Sequence, residues 1–116
     1  MIINGTDDTL VPYNGGEVQF FFRKLGKIKS VNDSYNKFFE SNLCKQTVET
    51  TINKVDIFNA QSCKNKSEVI LYKVNGGGHT WPGSKQLLPK FIVGKTNYDI
   101  DATQLIKKFF VKHLMD

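Results

Sequence analysis

Glu68-Val69-Ile70-Leu71-Tyr72-Lys73-Val74 runs into Asn75-Gly76-Gly77-Gly78-His79-Thr80-Trp81-Pro82-Gly83, so an apolar, β-branched run passes directly into a glycine-rich turn. The first half reads as a buried strand, because its apolar positions are continuous where a half-exposed strand would alternate. The second half places one titratable side chain, His79, between three glycines and a Pro-Gly pair. That puts the histidine just past the carboxyl end of a strand, where open α/β sheets gather their chemistry. For a histidine taken alone, an incidental polar tip on an ordinary turn is the better reading.

A second segment changes that balance. Met1-Ile2-Ile3-Asn4 resembles a short strand and leads into Gly5-Thr6-Asp7-Asp8-Thr9-Leu10-Val11-Pro12-Tyr13. Asp8 lies between a glycine-led turn and a Val-Pro pair whose proline fixes the backbone, a setting suited to aiming a carboxylate at an imidazole nitrogen. An acid after one strand and a histidine after a later one match the Ser…Asp…His chain order of α/β-hydrolases.

With these residues in place, the chain resembles the secreted poly(3-hydroxybutyrate) depolymerase and feruloyl esterase group of α/β-hydrolases. That group carries His-Gly-Thr-x-Asp-x-x-Val-Pro-Tyr, answered here by residues 4–13, and Gly-Gly-Gly-His-Thr-Trp-Pro-Gly, matched in full by residues 76–83. Asn4 stands where the group has its histidine, a change that removes no triad member. The resemblance implies Asp8 as the triad acid and His79 as the base, and gives Asp7, on a variable position, no role. It also implies the C-terminal part of an α/β-hydrolase fold with an incomplete sheet: parallel strands near 1–4 and 68–74, helices near 31–42 and 102–114, in a single domain over 1–116. The nucleophile is missing from the pattern. Ser30, Ser34, Ser41, Ser62, Ser67 and Ser84 all lack the flanking glycines of a Gly-x-Ser-x-Gly elbow, and the oxyanion-hole segment is absent as well.

Length and charge bound the alternatives. At 116 residues and 40% hydrophobic content the chain can bury a modest core but falls short of a complete hydrolase sheet. No run of about 18 apolar residues exists to span a membrane, and the first residues lack the basic-then-apolar pattern of an export signal. A net charge of +5 invites nucleic acid, yet the lysines are dispersed and no recognised nucleic-acid motif is present. Neither nucleic acid nor a membrane is an expected partner. A metal site from Asp7, Asp8 and His79 fits no common ligand spacing, and the implied chemistry needs no cofactor.

Cys44 and Cys63 are an even pair without Cys-x-x-Cys spacing. The resemblance and the even count favour a disulfide closing a loop of roughly twenty residues, worth about 3 kcal/mol, and with it a secreted or periplasmic location. The other reading is two buried thiols in a cytosolic protein. Ser30 and Asp101 suit helix N-caps, and apolar stripes at Val31, Tyr35 and Phe38 and at Leu105, Ile106, Phe109, Phe110, His113 and Leu114 are expected to pack on the sheet. Thr47 to Ile52 and Val55 to Phe58 read as strands, a hairpin that carries the cysteines. Val18 to Phe22 fits a strand or a helical turn equally. Trp81 either walls a substrate pocket beside His79 or anchors its turn against Pro82.

The implied mechanism is ester hydrolysis through an acyl-enzyme. His79 takes the serine proton and returns it to the leaving alcohol, while Asp8 orients the ring. The expected substrates are esters of hydroxyacid polymers or of hydroxycinnamates. Without the serine, three roles stand: a catalytic portion complemented by a serine-bearing half, a non-catalytic remnant, or an assembly module. In the last, an open sheet edge pairs with another chain and a homo-oligomer results.

Overall fold

The structure is a computed structural model describing residues 1–114. In chain order it comprises β1 (Ile2–Gly5), β2 (Gly16–Phe20), β3 (Arg23–Ile28), α1 (Val31–Ser41), β4 (Gln46–Ile52), β5 (Val55–Gln61), β6 (Val69–Val74), α2 (Lys90–Val93) and α3 (Ala102–Leu114).

β6 organises the core because both of its faces are covered. Val69 and Leu71 point to one side, where they meet Tyr13, Val31, Tyr35, Cys44 and Ala60. Ile70, Tyr72 and Val74 point to the other and meet Val55 and Ile100, with Leu105 and Phe109 packed against them. Period-two alternation with apolar residues at every odd and even position produces this two-sided burial. Lys73 is the exception, its Nζ lying 5.6 Å from the centre of the Tyr13 ring.

The sheet order is β1-β6-β5-β4, with β2 and β3 forming a separate two-stranded sheet. β1 runs parallel to β6, with Ile2 opposite Leu71 and Gly5 opposite Val74. β5 pairs antiparallel with both β6 and β4. The expected C-terminal part of an α/β-hydrolase fold is therefore corrected. The chain forms a mixed sheet with one parallel pair, most of its regular structure is strand, and an additional antiparallel hairpin stands apart. The physical reason is the two-residue turn Asn53-Lys54. Asn53 adopts a left-handed conformation (φ 51°) that tolerates such a turn, so β4 and β5 fold back on each other as an antiparallel hairpin, and β5 then pairs antiparallel along β6. A parallel strand there would need a long crossover.

A disulfide joins Cys44 to Cys63 beyond the open end of the β4–β5 hairpin. In α1, Ser30 Oγ accepts from the Asp33 backbone N–H at 3.0 Å, and in α3 Asp101 Oδ1 accepts from the Gln104 N–H at 3.0 Å. The expected stripes pack only in part. α1 buries Val31 and Tyr35 and adds Phe39, while Phe38 faces solvent. α3 packs Leu105 and Phe109, but Phe110 and Leu114 stay exposed. Lys112 pairs with Glu68, tying the end of α3 to the start of β6.

Candidate active site

β1 and β6 are parallel, so both deliver their following loops to the same end of the sheet. The loops are stitched by backbone bonds: Thr6 N–H to Val74 O and Asp7 N–H to Gly77 O, each 2.9 Å. The Gly76 N–H also donates to Thr6 Oγ1 at 2.8 Å. Three glycines allow this approach for different reasons. Gly76 has φ 76°, a left-handed turn conformation, whereas Gly5 and Gly78 are required sterically. A Cβ on Gly5 would collide with Gly77 O, and one on Gly78 would collide with Val93 O and lie 2.5 Å from Gly94 Cα.

Asp8 is held before it meets the histidine. Its Oδ1 accepts from the backbone N–H groups of Leu10 (2.9 Å) and Val11 (2.7 Å). This leaves Oδ2 facing His79 Nδ1 at 2.9 Å. The Asp8 side chain is 5% exposed and that of His79 49%, so a buried, fixed acceptor orients a half-open ring. A carboxylate can only accept, which assigns the proton to Nδ1 and leaves Nε2 as a lone pair able to take a proton. The histidine backbone is fixed as well, its N–H donating to Val93 O.

A strap over residues 84–97 closes the site. Gly78 N–H donates to Lys95 O, Thr80 Oγ1 to Lys95 O and Thr9 Oγ1 to Ile92 O. Gln86 holds the strap in shape, its Nε2 donating to Leu88 O and Gly94 O and its Oε1 accepting from Thr96 N–H and Oγ1. Asp8 and His79 open into a cleft of about 470 Å³ whose walls include Ile3, Trp81, Leu87 and Leu88. Trp81 Nε1 donates to Thr103 Oγ1 at 2.9 Å, fixing the indole to α3.

The structure thus brings Asp8 and His79 together and places Trp81 in the wall, about half exposed. Cys44 and Cys63 lie apart from the cleft, on the α1 side of the sheet. The strap was not foreseen. Leu87-Leu88-Pro89, an exposed apolar pair before a proline, is the one signal in its sequence. Among the described residues no hydroxyl or thiol is hydrogen-bonded to His79 Nε2, and no group of three or more His, Cys, Asp or Glu is placed to hold a metal ion.

A second cavity of about 390 Å³ adjoins the cleft, sharing Ile3, Thr80, Trp81 and Pro82 and continuing along Met1, Ile106, Phe109 and Phe110. Burial holds the Met1 amine below its ordinary range, against the raising effect of the Glu68 charge. Compared with protein-family models, curated proteins and solved structures, the chain matches none.

Proposed function

We propose that this chain carries the acid and base of a serine-type carboxylic ester hydrolase akin to poly(3-hydroxybutyrate) depolymerases and feruloyl esterases, and that it is inactive without a nucleophile supplied by another polypeptide segment. The reading rests on the site and not on the sheet. The observation that carries it is the contact between Asp8 Oδ2 and His79 Nδ1, with Oδ1 already held by two backbone N–H groups and Nε2 left free. In this role Nε2 accepts the proton of a serine hydroxyl as the oxygen attacks the ester carbonyl, and Asp8 stabilises the imidazolium that forms. The proton then passes to the departing alkoxide, and a water activated in the same way releases the acid. The apolar walls formed by Trp81, Leu87 and Leu88 suit an ester of low polarity. The disulfide supports a secreted or periplasmic setting.

The test is hydrolysis of p-nitrophenyl acetate and butyrate by the purified chain, alone and with a Gly-x-Ser-x-Gly polypeptide encoded beside it. Background rate alone, and a combined rate abolished by His79→Ala, is the expected result. A combined rate that survives His79→Ala would refute it.

A second reading is favoured by one observation: among the described residues β1 has a strand neighbour on one side only, and the apolar groove of Met1, Ile3, Ile106 and Phe110 lies beside it. In that reading the chain is an assembly module that pairs through this edge into a homo-oligomer. Light scattering that gives the monomer mass at every concentration would exclude it.

A further inference from the structure

Among the described residues the β2–β3 hairpin is hydrogen-bonded only within itself, and all six residues of β3 are exposed. Phe20 pairs with Arg23, so Phe21 and Phe22 form the two-residue turn. Such turns favour Asn and Gly, because they need left-handed backbone and project into water. Here Phe21 sits at φ 54°, is 69% exposed, and Phe22 beside it is fully exposed. The turn thus accepts both a strained backbone and two solvated aromatic rings, a combination that points to function where the surrounding fold does not require it. Leu25 and Ile28 extend the exposed apolar surface. Behind the tip stand four exposed cations, Arg23, Lys24, Lys27 and Lys29, against one acid, Glu17, which lies 3.7 Å from Lys24.

We propose that this hairpin docks the protein on an anionic phospholipid surface, the phenylalanine tip entering the interface and the basic residues lying against the headgroups. The two features together select this occupant. A neutral apolar surface would take the phenylalanines but leave the four cations without a counter-charge. An acidic peptide would use the cations and leave the aromatic tip in water. An anionic bilayer offers an apolar layer under a negative one, in the order the hairpin presents. This departs from the sequence-based expectation of no membrane partner. It concerns adsorption alone, since among the described residues no helix is long and apolar enough to cross a bilayer. The proposal is independent of the Asp8–His79 cleft.

The test is sedimentation of the purified chain with vesicles of phosphatidylcholine alone and with roughly one-third phosphatidylserine, at low and high salt. Each basic residue held at an anionic surface strengthens partitioning about fivefold, so Lys24→Gln with Lys27→Gln should weaken it about 25-fold. Phe21→Ser with Phe22→Ser should weaken it at least tenfold. Both pairs lie outside the core, and circular dichroism checks that they fold. Binding that requires phosphatidylserine, falls with salt and drops in both variants supports the proposal. No binding, equal binding to neutral vesicles or to a polyester film at high salt, or binding that survives either pair of substitutions overturns it.

Discussion

Asp8→Asn separates the two jobs of one side chain. The amide keeps an acceptor for the Leu10 and Val11 N–H groups, and so preserves the loop, but it turns an NH2 toward His79 Nδ1, where the carboxylate oxygen accepted a bond. Nδ1 must then accept, the ring proton moves to Nε2, and the imidazole loses its free lone pair at the open end. A hydrogen bond to a charged group contributes about 1.5–3 kcal/mol. With His79 half exposed, solvent screening reduces its share to under about 1 kcal/mol, and the two loop bonds weaken without being lost. The stability cost should therefore be about 1–2 kcal/mol. Asp8→Ala strands both loop N–H groups, and at about 1–3 kcal/mol for each unsatisfied donor it should cost roughly twice as much. Urea unfolding gives the two stabilities, and nitrogen-15 NMR of the histidine ring gives the tautomer. If the proposed ester hydrolase is assembled with its serine, the same substitution should lower kcat by about 10⁴. A ring that keeps its proton on Nδ1 in Asp8→Asn, or equal stability losses in the Asn and Ala variants, would refute this division of roles.

Three further outcomes follow from the packing and the charges. Replacing Cys44 and Cys63 by alanine opens a loop with a sequence separation of 19, which should cost about 3 kcal/mol in the chain-entropy account, seen as a lower urea midpoint matched by wild type under reductant. Gly78→Ala forces a Cβ into Val93 O and should cost at least about 2 kcal/mol, whereas Gly76→Ala has open space and loses only about 1 kcal/mol to its left-handed backbone; unfolding midpoints in the reverse order would contradict the steric argument. Asp56 is held below its ordinary value of 3.8 chiefly by bonds from Asn75 and Thr51. Its contribution is therefore present above that value and lost as pH falls through the lower folded value, so Asp56→Asn should flatten the acid limb of a stability-against-pH curve.

The parts of this molecule that were legible in its sequence are those set by local chemistry. The unbroken apolar run at 69–74 marks a strand covered on both faces, Ser30 and Asp101 mark helix starts, and two strand-terminal motifs pair Asp8 with His79. Sheet membership was not legible. Residues 47–52 and 55–58 read as a hairpin, but which strand would lie beside β6 depends on long-range packing that no local pattern encodes. α3 shows the same limit. Its stripe is continuous in sequence, yet Leu105 and Phe109 pack against the core while Phe110 remains outside. The strap lacks any periodicity, and its shape depends on Gln86, a residue without a local signature. At the hairpin tip, Phe20-Phe21-Phe22 breaks the alternation that identifies a half-buried strand, because none of the three enters the core.

The pairing of Ile2 with Leu71 places the strand that leads to the acid beside a partner more than half the chain away. Closing so large a loop is slow compared with forming the local β4–β5 hairpin. Among the described residues β1 is an edge strand of the larger sheet, bonded along one side only. Detachment of these few residues would withdraw Asp8 from His79 while leaving β4, β5 and β6 joined. Amide hydrogens at the register positions of β1 should accordingly exchange by a lower-energy sub-global opening than those between β5 and β6. The acid–base pair would then exist only in the most completely folded members of the native ensemble, which makes it a reporter of the last closure step.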